Sequence, residues 1–174
     1  MNKTAVSLIG APTDIGAGTT GSRMGPDALR VAGIAGAIAQ FGIDVRDCGN
    51  VGGPANPGLP AIDGFRHLPE IVEWNRAVHD AFYAELSDAR LPILLGGDHS
   101  LAIGSISAVA RHCRERKKKL RVLWFDAHAD FNTATLTPSG RMVVRVGERP
   151  ASAAASALPT FPAALLSKPN PAGN

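Results

Sequence analysis

Three short apolar runs, at residues 4–9, 91–95 and 120–125, are separated by stretches of helical period, and this alternation most constrains the fold. Runs of that length without polar alternation suit strands covered on both faces. Residues 69–86 form the clearest helix, with Ile71, Trp74, Val78, Phe82 and Leu86 along one stripe. An earlier helix starts at Pro26 and Asp27, where proline fits the first turn and a carboxylate complements the helix dipole. Its apolar positions Leu29, Ile34, Ala37, Ile38 and Phe41 keep the helical period up to the natural stop at Gly42. A short strand at 43–45, a loop rich in Gly, Pro and Asn to about residue 66, and a helix at 100–112 complete the pattern. Strands alternating with helices predict an α/β fold, a mainly parallel sheet in a three-layer αβα arrangement.

With 174 residues and 45% hydrophobic content, the chain has about one domain's length and enough apolar material for a real core. Two cysteines, Cys48 and Cys113, at a spacing that suggests no zinc site, favour a reduced compartment. The N-terminus lacks a signal-peptide pattern and no apolar run approaches the ~20 residues of a membrane span, so a soluble, cytoplasmic protein is expected. The net charge of +3 is a local effect, because Arg111, Arg114, Arg116, Lys117, Lys118, Lys119 and Arg121 supply seven of the 18 cations. That run has no interleaved aromatics and reads as a solvated turn, not a nucleic-acid surface. The glycines between Gly16 and Gly25 match neither a P-loop nor a dinucleotide fingerprint.

Asp126, His128 and Asp130 are spaced by two directly after the third apolar run. On an extended backbone, side chains two apart point the same way, so two carboxylates and an imidazole converge at a strand's end. His99 follows the second run, within Gly96-Gly97-Asp98-His99-Ser100, and ligands in open α/β sheets bind at such ends. Oxygen and nitrogen donors without cysteine suit a cation such as Mn²⁺ better than structural zinc. Three or so of these four ligands plus water suffice for one catalytic metal. A plainer reading has Asp98 and Ser100 capping the next helix. His67, His79 and His112 have no such partners and read as surface or helix-face histidines.

Gly-Gly-Asp-His-Ser (96–100) and Asp-Ala-His-Ala-Asp (126–130) resemble two metal motifs of the arginase/ureohydrolase family. The opening at 9–30 and Asp-Cys-Gly-Asn-Val (47–51) resemble it too, so the likeness runs from about residue 4 to 140. The resemblance implies an arginase/deacetylase-like α/β fold with only the N-terminal half present. It implies a binuclear manganese hydrolase of arginine metabolism, releasing urea from a guanidino substrate by a metal-bridging hydroxide. His99 would bind one Mn²⁺ and His128 the other, with Asp126 bridging and Asp130 on the His99 side. Asn132, Thr137 and Ser139 match positions that hold an amino acid's α-carboxylate. The implied reaction is L-arginine to L-ornithine and urea, in a homotrimer or hexamer. Agmatine or a formimino compound is the alternative substrate, and a catalytically silent fragment with a partial metal site is the alternative of another class.

The likeness ends at Gly140. The family continues Ser-Gly-Asn-x-His-Gly, whereas here Arg141, Met142, Val143 and Val144 follow, and Val143 stands at the proton-shuttling histidine's position. No Asp follows Asp130, so the family's later Asp-x-Asp pair has no counterpart, and at most one weakly held Mn²⁺ is expected. Residues 1–140 therefore read as the N-terminal half of a ureohydrolase-type domain, and 141–174 as a non-homologous, disordered Ala/Pro-rich tail. A frameshift or premature truncation would produce this boundary. Translating the gene's other two frames beyond codon 140 should reveal Ser-Gly-Asn-x-His-Gly and Asp-x-Asp; their absence would defeat that explanation.

Overall fold

The computed structural model describes residues 5–60 and 66–126. Three parallel strands form one sheet in the order β2-β1-β3, where β1 is Ala5–Ala11, β2 is Asp44–Asn50 and β3 is Leu91–Gly96. Helices α1 (Gly25–Val31) and α2 (Ile34–Ala39) join β1 to β2, and α3 (Leu68–Ser87) joins β2 to β3. Helix α4 (Ala102–Glu115) follows β3 through a single 3₁₀ turn, His99–Leu101. The sheet and its two helical layers have the expected three-layer αβα architecture.

The alternation of side chains along β1 divides the core in two. Val6 and Leu8 point to one face, where with Leu95 they pack against Ile34, Ile38, Ile43 and Val45. Ile9 and Ala11 point to the other and join Ile71, Trp74, Val78, Phe82, Leu101 and Ala108. The α3 stripe lies where its period puts it. Where one continuous helix was expected from Pro26 to Phe41, there are two, because Gly33 takes φ +82°, outside the helical region. Burial of Ile34 and Ile38 against the sheet leaves Val31 and Phe41 exposed.

The third apolar run differs from its expected strand. Residues 120–125 carry no strand pairing, and Leu123 and Phe125 are 73% and 92% exposed. A lone extended segment gains nothing from β-propensity unless a ladder and two covering layers receive it. Among the described residues, nothing pairs with the outer edge of β3.

Two polar arrangements hold the layers together. Asn75 on α3 is 1% exposed; its Nδ2 donates to Ile71 O at 2.9 Å, and its Oδ1 accepts from Gly104 N at 2.6 Å. The Gly104 amide lies in the first turn of α4, where helical donors have no partner of their own. Asn75 therefore caps α4 from a different helix. At the amino ends of the strands, Arg90 donates to Ser7 Oγ (2.8 Å), Asp44 Oδ2 (2.6 Å) and Val6 O (2.5 Å). Glu85 accepts there from Ser7 and Arg46. Burial pushes the Glu85 carboxyl up, but those two donors outweigh it and leave the group below its ordinary value.

Further along β2, Arg30 grips Asp47 with Nε and Nη2 at 2.8 and 2.9 Å, and Asn50 Oδ1 with Nη1 at 2.6 Å. This clamp joins α1 to β2. The guanidinium's hydrogen bonds hold the Asp47 carboxyl below its ordinary value.

Two predictions follow from these contacts. Asn75→Ala strips the buried Gly104 amide of its acceptor and should destabilise the fold by about 1–3 kcal/mol in urea denaturation. A depressed folded pKa gives Asp47 a stabilising contribution that is complete above the unfolded value of about 3.9 and is lost as pH falls through the folded one. The melting-temperature gap between native chain and Asp47→Asn should thus be present at neutral pH and close in acid; a gap independent of pH would contradict the assignment.

Candidate functional site

The site lies at the carboxyl ends of β1 and β3. The close approach of loop and strand end selects glycine at position 97: a Cβ there would lie 2.4 Å from Thr13 O and 2.5 Å from Ala11 O. The loop after β1 can therefore lie directly over the end of β3. Asp98 then caps the 3₁₀ turn, accepting from Ser100 N at 2.9 Å and Ser100 Oγ at 2.6 Å. This capping role was one of the two readings open for Asp98 and Ser100 in the sequence.

His99 is the first residue of that turn. Its Nδ1 lies 3.8 Å from Asp126 Oδ2, beyond hydrogen-bond distance, with the two side chains 33% and 23% exposed. The Trp124 ring lies 5.1 Å from the imidazole, tilted by 60°, so the segment that delivers Asp126 also covers one side of His99. An imidazole and a carboxylate, part-covered and facing each other without a thiol, are a donor pair of the kind a hard or borderline divalent cation takes. Two of the four expected ligands are thus brought together. His128 and Asp130 lie outside the described residues, as do Asn132, Thr137 and Ser139 and the 141–174 tail. Among the described residues no group of three or more ligating side chains forms.

His67 departs from the sequence expectation. It is buried, with Nδ1 3.3 Å from Ile15 O and Nε2 3.1 Å from Leu59 O, and so ties the loop before α3 to the loop after β1. A histidine next to a helix start carries no sequence signal for such a long-range role. His79 lies on α3 as a helix-face residue, but it is 8% exposed, with Nδ1 2.8 Å from Asp80 Oδ1 and its ring stacked on Tyr83. Burial lowers the pKa of His112, and the neighbouring Arg116 and Lys118 lower it further.

Sequence reasoning also missed Asp14 and the far-side role of Asp98. Asp14 is 6% exposed and accepts from Gly21 N at 3.0 Å, folding the glycine-rich loop back on itself. Asp98 Oδ2 accepts from Gly16 N at 2.8 Å, across 82 positions of sequence. An aspartate among glycines was the only local hint for either. Among the described residues no helix is long and apolar enough to cross a membrane.

In sequence and in fold the chain is similar to known arginases. The Arginase family profile matches residues 4–156. An arginase from Brucella melitensis is 41% identical over 136 residues, covering 78% of this chain and 44% of its own length. The native arginase structure from Bacillus caldovelox superposes with a TM-score of 0.72 at 36% identity, covering 79% of this chain and 46% of that one. The Entamoeba histolytica arginase, in complex with L-ornithine, gives a TM-score of 0.76 at 28% identity, covering 92% and 55%. The chain spans about half the length of the curated relatives it matches. With the profile covering most of its length and the fold shared, the chain belongs to the arginase family.

Proposed function

We propose that this chain carries part of a manganese-dependent amidinohydrolase site, directed at the guanidino group of L-arginine and yielding L-ornithine and urea. The observation that carries the proposal is the His99–Asp126 pair on the rim of the sheet, 3.8 Å apart, one residue from each of two family motifs. In this reading His99, Asp126, His128 and Asp130 hold Mn²⁺, and Asn132, Thr137 and Ser139 bind the amino acid's α-carboxylate. When bound, the cation lowers the pKa of water and so supplies a nucleophile at neutral pH. The residues of this chain orient the substrate, and the Asp126 and Asp130 carboxylates offset the cation's charge. Arginine rather than agmatine is favoured by Asn132 and the Thr137–Ser139 segment, because agmatine has no carboxylate for them to hold.

A second reading is a catalytically silent chain with a weak, partial metal site. It is favoured by the exposure of Leu123 and Phe125: the segment that delivers Asp126 is not hydrogen-bonded into the sheet. A donor carried outside the sheet's ladder is held less rigidly than one at a paired strand's end, and that costs binding energy. Metal analysis and a urea assay separate the two. Two tightly bound Mn²⁺ per chain with urea from arginine supports the hydrolase; one weakly held Mn²⁺ or fewer and no urea supports the silent chain. Urea from agmatine alone would replace arginine as the substrate.

A further inference from the structure

Between the ends of β1 and β3 the pairing of the chain outlasts the sheet. The ladder closes at Ala11 opposite Gly96. Beyond it, Asp98 N donates to Thr13 O at 3.1 Å, and Gly16 N donates to Asp98 Oδ2 at 2.8 Å. The other oxygen of the same carboxylate receives Ser100 N and Ser100 Oγ. One carboxylate thus uses one oxygen on the loop after β1 and the other on the turn that contains His99.

We propose that Asp98 is a positioning residue for His99: through Gly16 and Ser100 it fixes the His99–Leu101 turn against the first loop and so holds the imidazole on the rim. This rests on the reading of His99 as a metal ligand. Capping alone requires only the oxygen that meets Ser100; the bond to Gly16 adds nothing to a cap. A three-residue 3₁₀ turn has poor hydrogen-bond geometry and little stiffness of its own. The His99 backbone lies between Asp98 and Ser100, the two residues that the carboxylate joins. Fixing them restricts where the ring can point before any cation arrives.

The test uses the full chain with Mn²⁺ alone as the probe, following the free-ion EPR signal, alongside thermal melts. Asp98→Asn turns an amide donor toward the Gly16 or Ser100 donors. Gly16→Ala leaves the carboxylate chemically intact but places a Cβ 2.8 Å from Asp98 Oδ1 and 2.9 Å from Ser100 Oγ, which pushes the contact apart. Each should weaken Mn²⁺ binding about tenfold or more. The double variant should be no weaker than the worse single one, because both break one connection. Asn75→Ala, buried between α3 and α4, should lower the melting temperature and leave Mn²⁺ affinity unchanged, which separates positioning from general loss of stability.

Native-like Mn²⁺ affinity in Asp98→Asn and Gly16→Ala, with His99→Ala weakened, would overturn the positioning role and leave the metal reading intact. Additive losses in the double variant would also overturn it. His99→Ala binding as tightly as the native chain would remove the metal reading itself, and the proposal with it. Should Asp98→Asn fail to fold, Gly16→Ala against His99→Ala decides the question in the same way.

Discussion

Everything in this structure hangs on β1. It is paired in parallel on both sides, to β2 and to β3, and most of its residues are buried. A strand in that position has no solvent-facing side, so each side chain must satisfy one helical layer or the other. Val6 and Leu8 commit to α2, while Ile9 and Ala11 commit to α3 and α4. The one polar side chain, Ser7, is fully buried and is accepted because Arg90 and Glu85 both reach it. Shifting β1 by one residue would exchange the two faces and break every one of these contacts.

The carboxyl end of β1 also decides where the candidate site is held. Its loop runs back over the end of β3, and the absence of a side chain at position 97 lets the two backbones meet. Asp98 then reaches across to Gly16. His99 is therefore placed by a loop from the start of the chain as much as by the strand that precedes it. Asp126 arrives from the other direction, and Trp124 against the imidazole brings that segment to the rim without any strand pairing.

How far this was legible in the sequence depended on whether a feature was local. The α3 stripe, the strands β1, β2 and β3 and the proline-led start of α1 are periodic or short-range signals, and each starts within a few residues of its expected place. The family motifs were legible for a different reason, since the metal chemistry proposed for them would demand particular residue types at a fixed spacing. What could not be read were contacts that the tertiary fold decides. The break at Gly33 hinges on how Ile34 and Ile38 meet the sheet, and the burial of His67 depends on carbonyls at residues 15 and 59. The capping of α4 by Asn75 depends on a helix begun more than thirty residues earlier. Residues 120–125 carry a strand's composition but not its ladder, because composition specifies a willingness to pair and not the presence of a partner.

The polar network of Arg90, Ser7, Glu85, Arg46 and Asp44 sits at the amino ends of the strands, at the opposite end of the sheet from His99. The Arg90 network ties the strands together at one end, and His99 with Asp126 lies at the other. Among the described residues the two sets have no member in common. Substitutions at the two ends should therefore combine independently, so that the fastening end can drift or be engineered for stability while the rim keeps its geometry.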